Sequence, residues 1–189
     1  MQKCVTDIKL RKNFANKFLA AFLTRKIINV MEDIKQMVKE LAGKYGRSEE
    51  NLLPILQGIV EKQRYISEEA MVEVARELDI SAAQVYGTAT FYSFLETRPT
   101  GKYVIRVCKT ISCMMKGKND IIRELENVLR IRMGETTHDR LFSLRDTNCL
   151  GQCHKGPAML VNDTPYTGLT PEKVRKILCD IRKKEFPAN

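Results

Sequence analysis

The chain has 189 residues, 43% hydrophobic and 29% charged, enough apolar material for one mid-sized core or two small ones packed together. No apolar run approaches the roughly 18 to 20 residues that cross a bilayer, so no membrane span is expected. Residues 1–30 carry +6 of the net charge of +9, from seven Lys and Arg against Asp7 alone, and aromatics are sparse; this argues against a nucleic-acid partner, which calls for basic residues on a folded face interleaved with aromatics.

Residues 1–30 read as a basic leader or extension, ending where Met31 opens acidic, strongly patterned sequence. The segment is Lys-rich and lacks Ser, which favours an extension or docking helix over an organelle presequence. The expected location is the cytoplasm, or an organelle matrix if the leader is a presequence.

Residues 31–98 read as a helical domain. Ile34, Met37, Val38 and Leu41 fall on one stripe of a first helix that stops near Gly43 to Gly46. A second helix is expected over 49–63, with Pro54 in its first turns. Ser67 reads as the N-cap of a third, on which Ala70, Val74 and Leu78 repeat. Ser81 opens a fourth, with Gln84 completing a capping box, and this helix is expected to run on through Leu95.

At TRPTGK the texture changes, since Pro99 and Gly101 break the helical register. Residues 101–184 read as an α/β domain in the order β, α, β, β, α. Strands are expected at 102–107, 140–146 and 158–162. A helix is expected near 117–130, a turn at 162–164, and a last helix with Thr170 as N-cap and Pro171 at its first position.

Two of the six cysteines stand with four residues between them (Cys108 and Cys113) and two with three between them (Cys149 and Cys153). Each pair follows an expected strand, so both loops should leave one edge of the same sheet and bring four thiolates together. Thiolates favour iron-sulfur clusters and zinc over hard cations. Zinc knuckles often leave two residues between paired cysteines, and gaps of three and four suit two irons that each take one pair. On the residues alone the readings are a [2Fe-2S] cluster, a structural zinc in an interaction module without redox activity, or ordinary buried thiols. Gly117 and Gly151 would let backbone N–H groups approach the sulfurs. Lys109, Lys116, His154 and Lys155 are either tuners of the site's potential or a solvated basic rim. A disulfide-exchange site would leave two residues between its cysteines, and neither pair does. No GxGxxG fingerprint is present, and neither His138 nor His154 has a visible partner, so no catalytic residue is assigned.

GTATFYSFLETRPTGKYVIRVCKTISC and, further on, the GETT segment, CLGQC with a following Pro, and the closing Leu-Thr-Pro helix resemble the thioredoxin-like [2Fe-2S] subunit of NADH dehydrogenases. That is the E-type subunit of respiratory complex I, which also occurs as the gamma subunit type in NAD-linked, electron-bifurcating iron hydrogenases and in formate dehydrogenases. The likeness covers about 32–183. It implies a helical bundle followed by a thioredoxin-like ferredoxin domain, with Cys108, Cys113, Cys149 and Cys153 holding one [2Fe-2S] cluster. It further implies a flavoprotein partner that binds FMN and NAD(H), and further iron-sulfur subunits. HKGP after Cys153 departs from the family pattern. Cys4 and Cys179 have no family match, and Cys179, beside the Val174, Ile177, Leu178 and Ile181 stripe, is expected to be a packing residue.

Overall fold

The computed structural model of the chain describes residues 29–187. The leader reading and Cys4 lie outside them, except residues 29 and 30, which are helical. The chain divides between Arg98 and Pro99 into two units, each with its own hydrophobic core.

In the first unit, α1 covers 29–45, and a short 3-10 turn over Glu49–Asn51 leads into α2, Leu52–Gln63. Then come α3, Glu68–Glu77, and α4, Ala82–Phe91. The expected stripe of Ile34, Met37, Val38 and Leu41 is buried, against Ile55, Leu56, Ile59, Ala70, Val74 and Val85. A Cβ on Gly58 would stand 2.7 Å from Leu41 Cδ2, so a larger residue there would have to displace the Leu41 side chain from its packed position.

Ser67 and Ser81 cap α3 and α4 as expected, their hydroxyls accepting from the N–H groups of Ala70 and Gln84. The second half of the capping box does not form, because the Gln84 amide is drawn to the carboxylate of Glu49. Helix α4 also stops short of Leu95. Tyr92 takes an extended conformation, φ −89° and ψ 111°, which turns the chain so that Leu95 is buried while Phe91, Tyr92 and Phe94 stay exposed.

The second unit holds β1 (Tyr103–Cys108), α5 (Ile111–Met115), α6 (Lys118–Leu129), β2 (Phe142–Thr147), β3 (Ala158–Val161), β4 (Thr164–Thr167) and α7 (Pro171–Glu185). The sheet order is β2-β1-β3-β4, with β1 parallel to β2 and the other pairs antiparallel. Phe142, Ile105, Leu144 and Met159 meet Ile121, Leu125, Val174 and Leu178 of α6 and α7 in one core. Gly101 lets the chain enter this sheet. A Cβ there would lie 2.8 Å from the carbonyl carbon of Phe142, and its N–H donates to the buried Ser143 hydroxyl at 2.7 Å.

Two elements depart from the expected order. Helix α5 occupies most of the first cysteine loop. Strand β4 follows a tight turn in which Asn162 is left-handed, φ +52°, and pairs with β3 from Val161↔Thr164 onward. Pro165 is a poor strand residue, but β4 lies at the sheet edge, where a missing N–H leaves no ladder bond unmade. The described residues contain no helix long and apolar enough to cross a membrane.

Candidate metal centre

The parallel pairing of β1 and β2 decides where the cysteines go. Register runs from Tyr103↔Phe142 to Cys108↔Thr147, so both strands end side by side and both cysteine loops leave the same edge. Lys109 N–H donates to Thr147 O at 2.8 Å, carrying the ladder one step past Cys108. Cys108 is the last residue of β1 and is buried; Cys113, on α5, is buried as well. In the second loop Cys149 is exposed and Cys153 half-buried, with 3.3 Å between their sulfurs.

The structure thus brings all four cysteines of the two pairs together. Cys108 and Cys113 interact directly, and Cys153 lies within electrostatic reach of both. Among the described residues no group of three or more His, Cys, Asp or Glu side chains is arranged so that it could hold a metal ion. The sulfurs stand as two contacting pairs, Cys108 with Cys113 and Cys149 with Cys153.

Hydrogen-bond donors converge on these sulfurs. Thr110 Oγ1 lies 3.1 Å from Cys108 Sγ, and Gly151 N–H points at Cys149 Sγ from 3.4 Å; the positive φ of Gly151, +77°, allows that turn. Backbone groups of Thr110 and Leu150 serve Cys108, and that of Ala158 serves Cys113. Burial pushes the Cys108 thiol up, but the Thr110 hydroxyl, the two backbone groups and Cys113 outweigh it and leave it below the ordinary thiol value. Burial and the adjacent Cys108 hold Cys113 above that value, and contact with Cys149 does the same for Cys153. Raised values caused by neighbouring sulfurs mean that the thiolates repel one another, a cost that a cationic iron-sulfide core would relieve. Four soft donors, backbone N–H groups aimed at sulfur and this mutual repulsion fit a [2Fe-2S] cluster.

Lys116 has a role that neither rim nor tuner describes. From the end of α5 its ammonium donates to Cys153 O at 2.8 Å and to His154 O at 3.1 Å, tying the first cysteine loop to the second. A Cβ on Gly156 would lie 3.3 Å from both Lys116 Cδ and Cys113 Sγ, so Gly156 leaves room for the lysine stem to cross. Lys109 stands 3.5 Å from Asp146, while His154 and Lys155 are exposed. Gly117 does not serve the sulfurs: its N–H goes to Met114 O at 3.2 Å, and its left-handed φ of +88° starts α6. Sequence reasoning passed over Thr110 and Ser112, the latter hydrogen-bonded to Cys153. Their hydroxyls lie inside CKTISC, where they read as ordinary loop residues.

Cys179 lies outside this group and is not the packing residue expected. It is exposed, because one position past buried Leu178 turns a side chain about 100° round the helix, away from the stripe.

The family model for the thioredoxin-like [2Fe-2S] ferredoxin matches residues 38–182. The chain is 36% identical over 156 residues to the E-type subunit of NADH-quinone oxidoreductase from Buchnera aphidicola, covering 82% of this chain and 92% of that one. It is 35% identical over 155 residues to NADH-quinone oxidoreductase subunit 2 of Thermus thermophilus, covering 80% and 85%. Its fold matches that of a chain in the crystal structure of NAD+-reducing [NiFe]-hydrogenase in the air-oxidized state, with a TM-score of 0.63, 22% identity, 75% of this chain covered and 24% of that one. By the extent of the family match and by the identity to these relatives, the chain belongs to the thioredoxin-like [2Fe-2S] ferredoxin family.

Proposed function

We propose that this chain is an electron-transfer subunit, with one [2Fe-2S] cluster on Cys108, Cys113, Cys149 and Cys153, in an NADH-linked flavoprotein oxidoreductase complex. FMN and NAD(H) belong to a partner subunit, with further iron-sulfur subunits beyond it. The observation that carries the reading is the convergence of two thiol pairs at the ends of two parallel strands. The names of its relatives, NADH-quinone oxidoreductase subunits, support the link to NADH.

In this reading the cluster, when bound, supplies storage for a single electron between a two-electron donor and one-electron carriers. The chain itself holds and insulates. Cys108 and Cys113 are buried, which shields one pair from water, while exposed Cys149 leaves the other near the surface. The N–H groups of Gly151 and Leu150 and the Thr110 hydroxyl lie against sulfur and offset its negative charge, an effect that raises the potential of such centres. Residues 1–30 are read as an extension, 31–98 as a helical domain and 101–184 as the cluster domain, in a cytoplasmic protein.

Anaerobic purification tests the reading. The expected product is coloured, with about two irons and two sulfides per chain and a low-temperature EPR signal after dithionite reduction. Colourless protein containing only zinc would falsify it in favour of the zinc-stabilised module.

A further inference from the structure

Between α1 and α3 the first unit has a groove of about 300 Å³, apolar where Met31, Ile34 and Val72 line it and charged where Glu68, Glu69, Glu73 and Arg76 do. Met31 is 49% and Val72 39% exposed, large apolar side chains left to water. Arg76 is paired with Glu73, whereas Glu68 and Glu69 are exposed and form no ion pair with another described residue. The first turn of a helix favours carboxylates, which accounts for Glu68 and Glu69 but not for the apolar surface beside them. Charge is divided unevenly along the chain. Residues 1–28 carry seven Lys and Arg against Asp7, residues 29–98 eight against twelve Asp and Glu, and residues 99–189 seventeen against ten. The basic segment is thus joined directly to the one acidic stretch. Within it Phe14, Phe18 and Phe22 recur every four residues, and Lys9, Lys12 and Lys17 fall off that stripe, the pattern of a segment with one apolar face.

We propose that residues 9–23 fold back over this groove, setting Phe14, Phe18 and Phe22 against Met31 and Val72 and their lysines beside Glu68 and Glu69. The connection is long enough. Residue 29 already belongs to α1, two positions before Met31, and residues 24–28 span roughly 17 Å when extended, more than the ~10–12 Å width of a helix. Tethering and charge select this occupant. A segment joined to its site by a short connection meets it at an effective concentration on the order of millimolar. A second copy would bring the same carboxylates to the same groove and be repelled.

The test is hydrogen exchange of the full chain, read by mass spectrometry against a synthetic peptide of residues 1–28. Amides of residues 14–22 should exchange more slowly in the chain than in the peptide, equally at all protein concentrations, and faster as salt rises. The double variant Glu68→Lys with Glu69→Lys should lower that protection roughly tenfold, since two attractions become repulsions. Val72→Asp should lower it too, while Glu61→Lys, on α2, should not. Exchange within α2 should match the wild type in the double variant and in Val72→Asp, showing that the unit stays folded. Residues 14–22 that exchange as fast as the free peptide would overturn the proposal, as would protection that the double variant and Val72→Asp both leave unchanged. Protection that appears only as protein concentration rises would assign the groove to a second copy instead. A native chain whose intact mass begins at or after Asn29 would remove the occupant altogether.

Discussion

Replacing Lys116 by methionine keeps the length and packing of the side chain and removes the ammonium that joins the two cysteine loops. Two bonds are lost, to Cys153 O at 2.8 Å and His154 O at 3.1 Å. A bond to a charged group contributes about 1.5–3 kcal/mol when shielded, but Lys116 is exposed, and solvent screening reduces the pair to about 1 kcal/mol in total. At about 1.4 kcal/mol per factor of ten, the loops should separate roughly fivefold more often. The assay is anaerobic bleaching of the visible absorption by excess iron chelator. Lys116→Met should start with a full cluster and the wild-type EPR spectrum, then bleach about fivefold faster; Lys116→Arg, which keeps a donor, should fall between. Equal bleaching rates for wild type and Lys116→Met would refute the clasp. If in addition the potential had moved, Lys116 would act as a nearby charge alone.

Cys149→Ala should abolish or cripple the EPR signal, whereas Cys179→Ala, exposed on α7, should leave it intact; an unchanged signal in the first variant would mean that the ligand set is wrong. Gly101→Ala should cost about 1–3 kcal/mol in urea unfolding, because its Cβ would meet Phe142 backbone atoms at 2.8 and 2.9 Å; an unshifted midpoint would show that the strands yield. Asp139 accepts from the Thr137 hydroxyl and from Leu141 N–H, and these bonds, Thr137 first, hold its carboxyl below the ordinary value of 3.8. A depressed folded-state value adds stability above that ordinary value and loses it as pH falls through the folded one. Asp139→Asn should therefore be less stable than wild type in urea at pH 7, with the gap closing in acid; a gap that stays constant with pH would refute the assignment.

The paired cysteines were legible because the chemistry is written in spacing: C-x4-C and C-x3-C, each after a strand, place four thiols at one edge once the strands are parallel. Helices with strong stripes and serine or threonine caps were equally clear, as at Ser67, Ser81 and Thr170. The rest depended on partners distant in sequence. Gln84 leaves its capping role for Glu49, Cys179 misses the core by one position, and β4 survives Pro165 only through its place at the edge. The clasp of Lys116 joins residues from two loops whose meeting no local pattern foretells. In the same way α5 exists because Thr110 and Lys116 bracket a single turn and a half of backbone bonds, too short a run for periodicity to register.

The ladder between β1 and β2 joins segments separated by roughly forty residues of chain, a pairing that forms slowly because a long loop must close first. Until that closure is complete, the two halves of the thiol set belong to unconnected parts of a fluctuating polypeptide. If the four thiols hold a cluster as proposed, the strands must pair before the full ligand set exists, and a chain ending before Phe142 would present one of the two cysteine pairs alone.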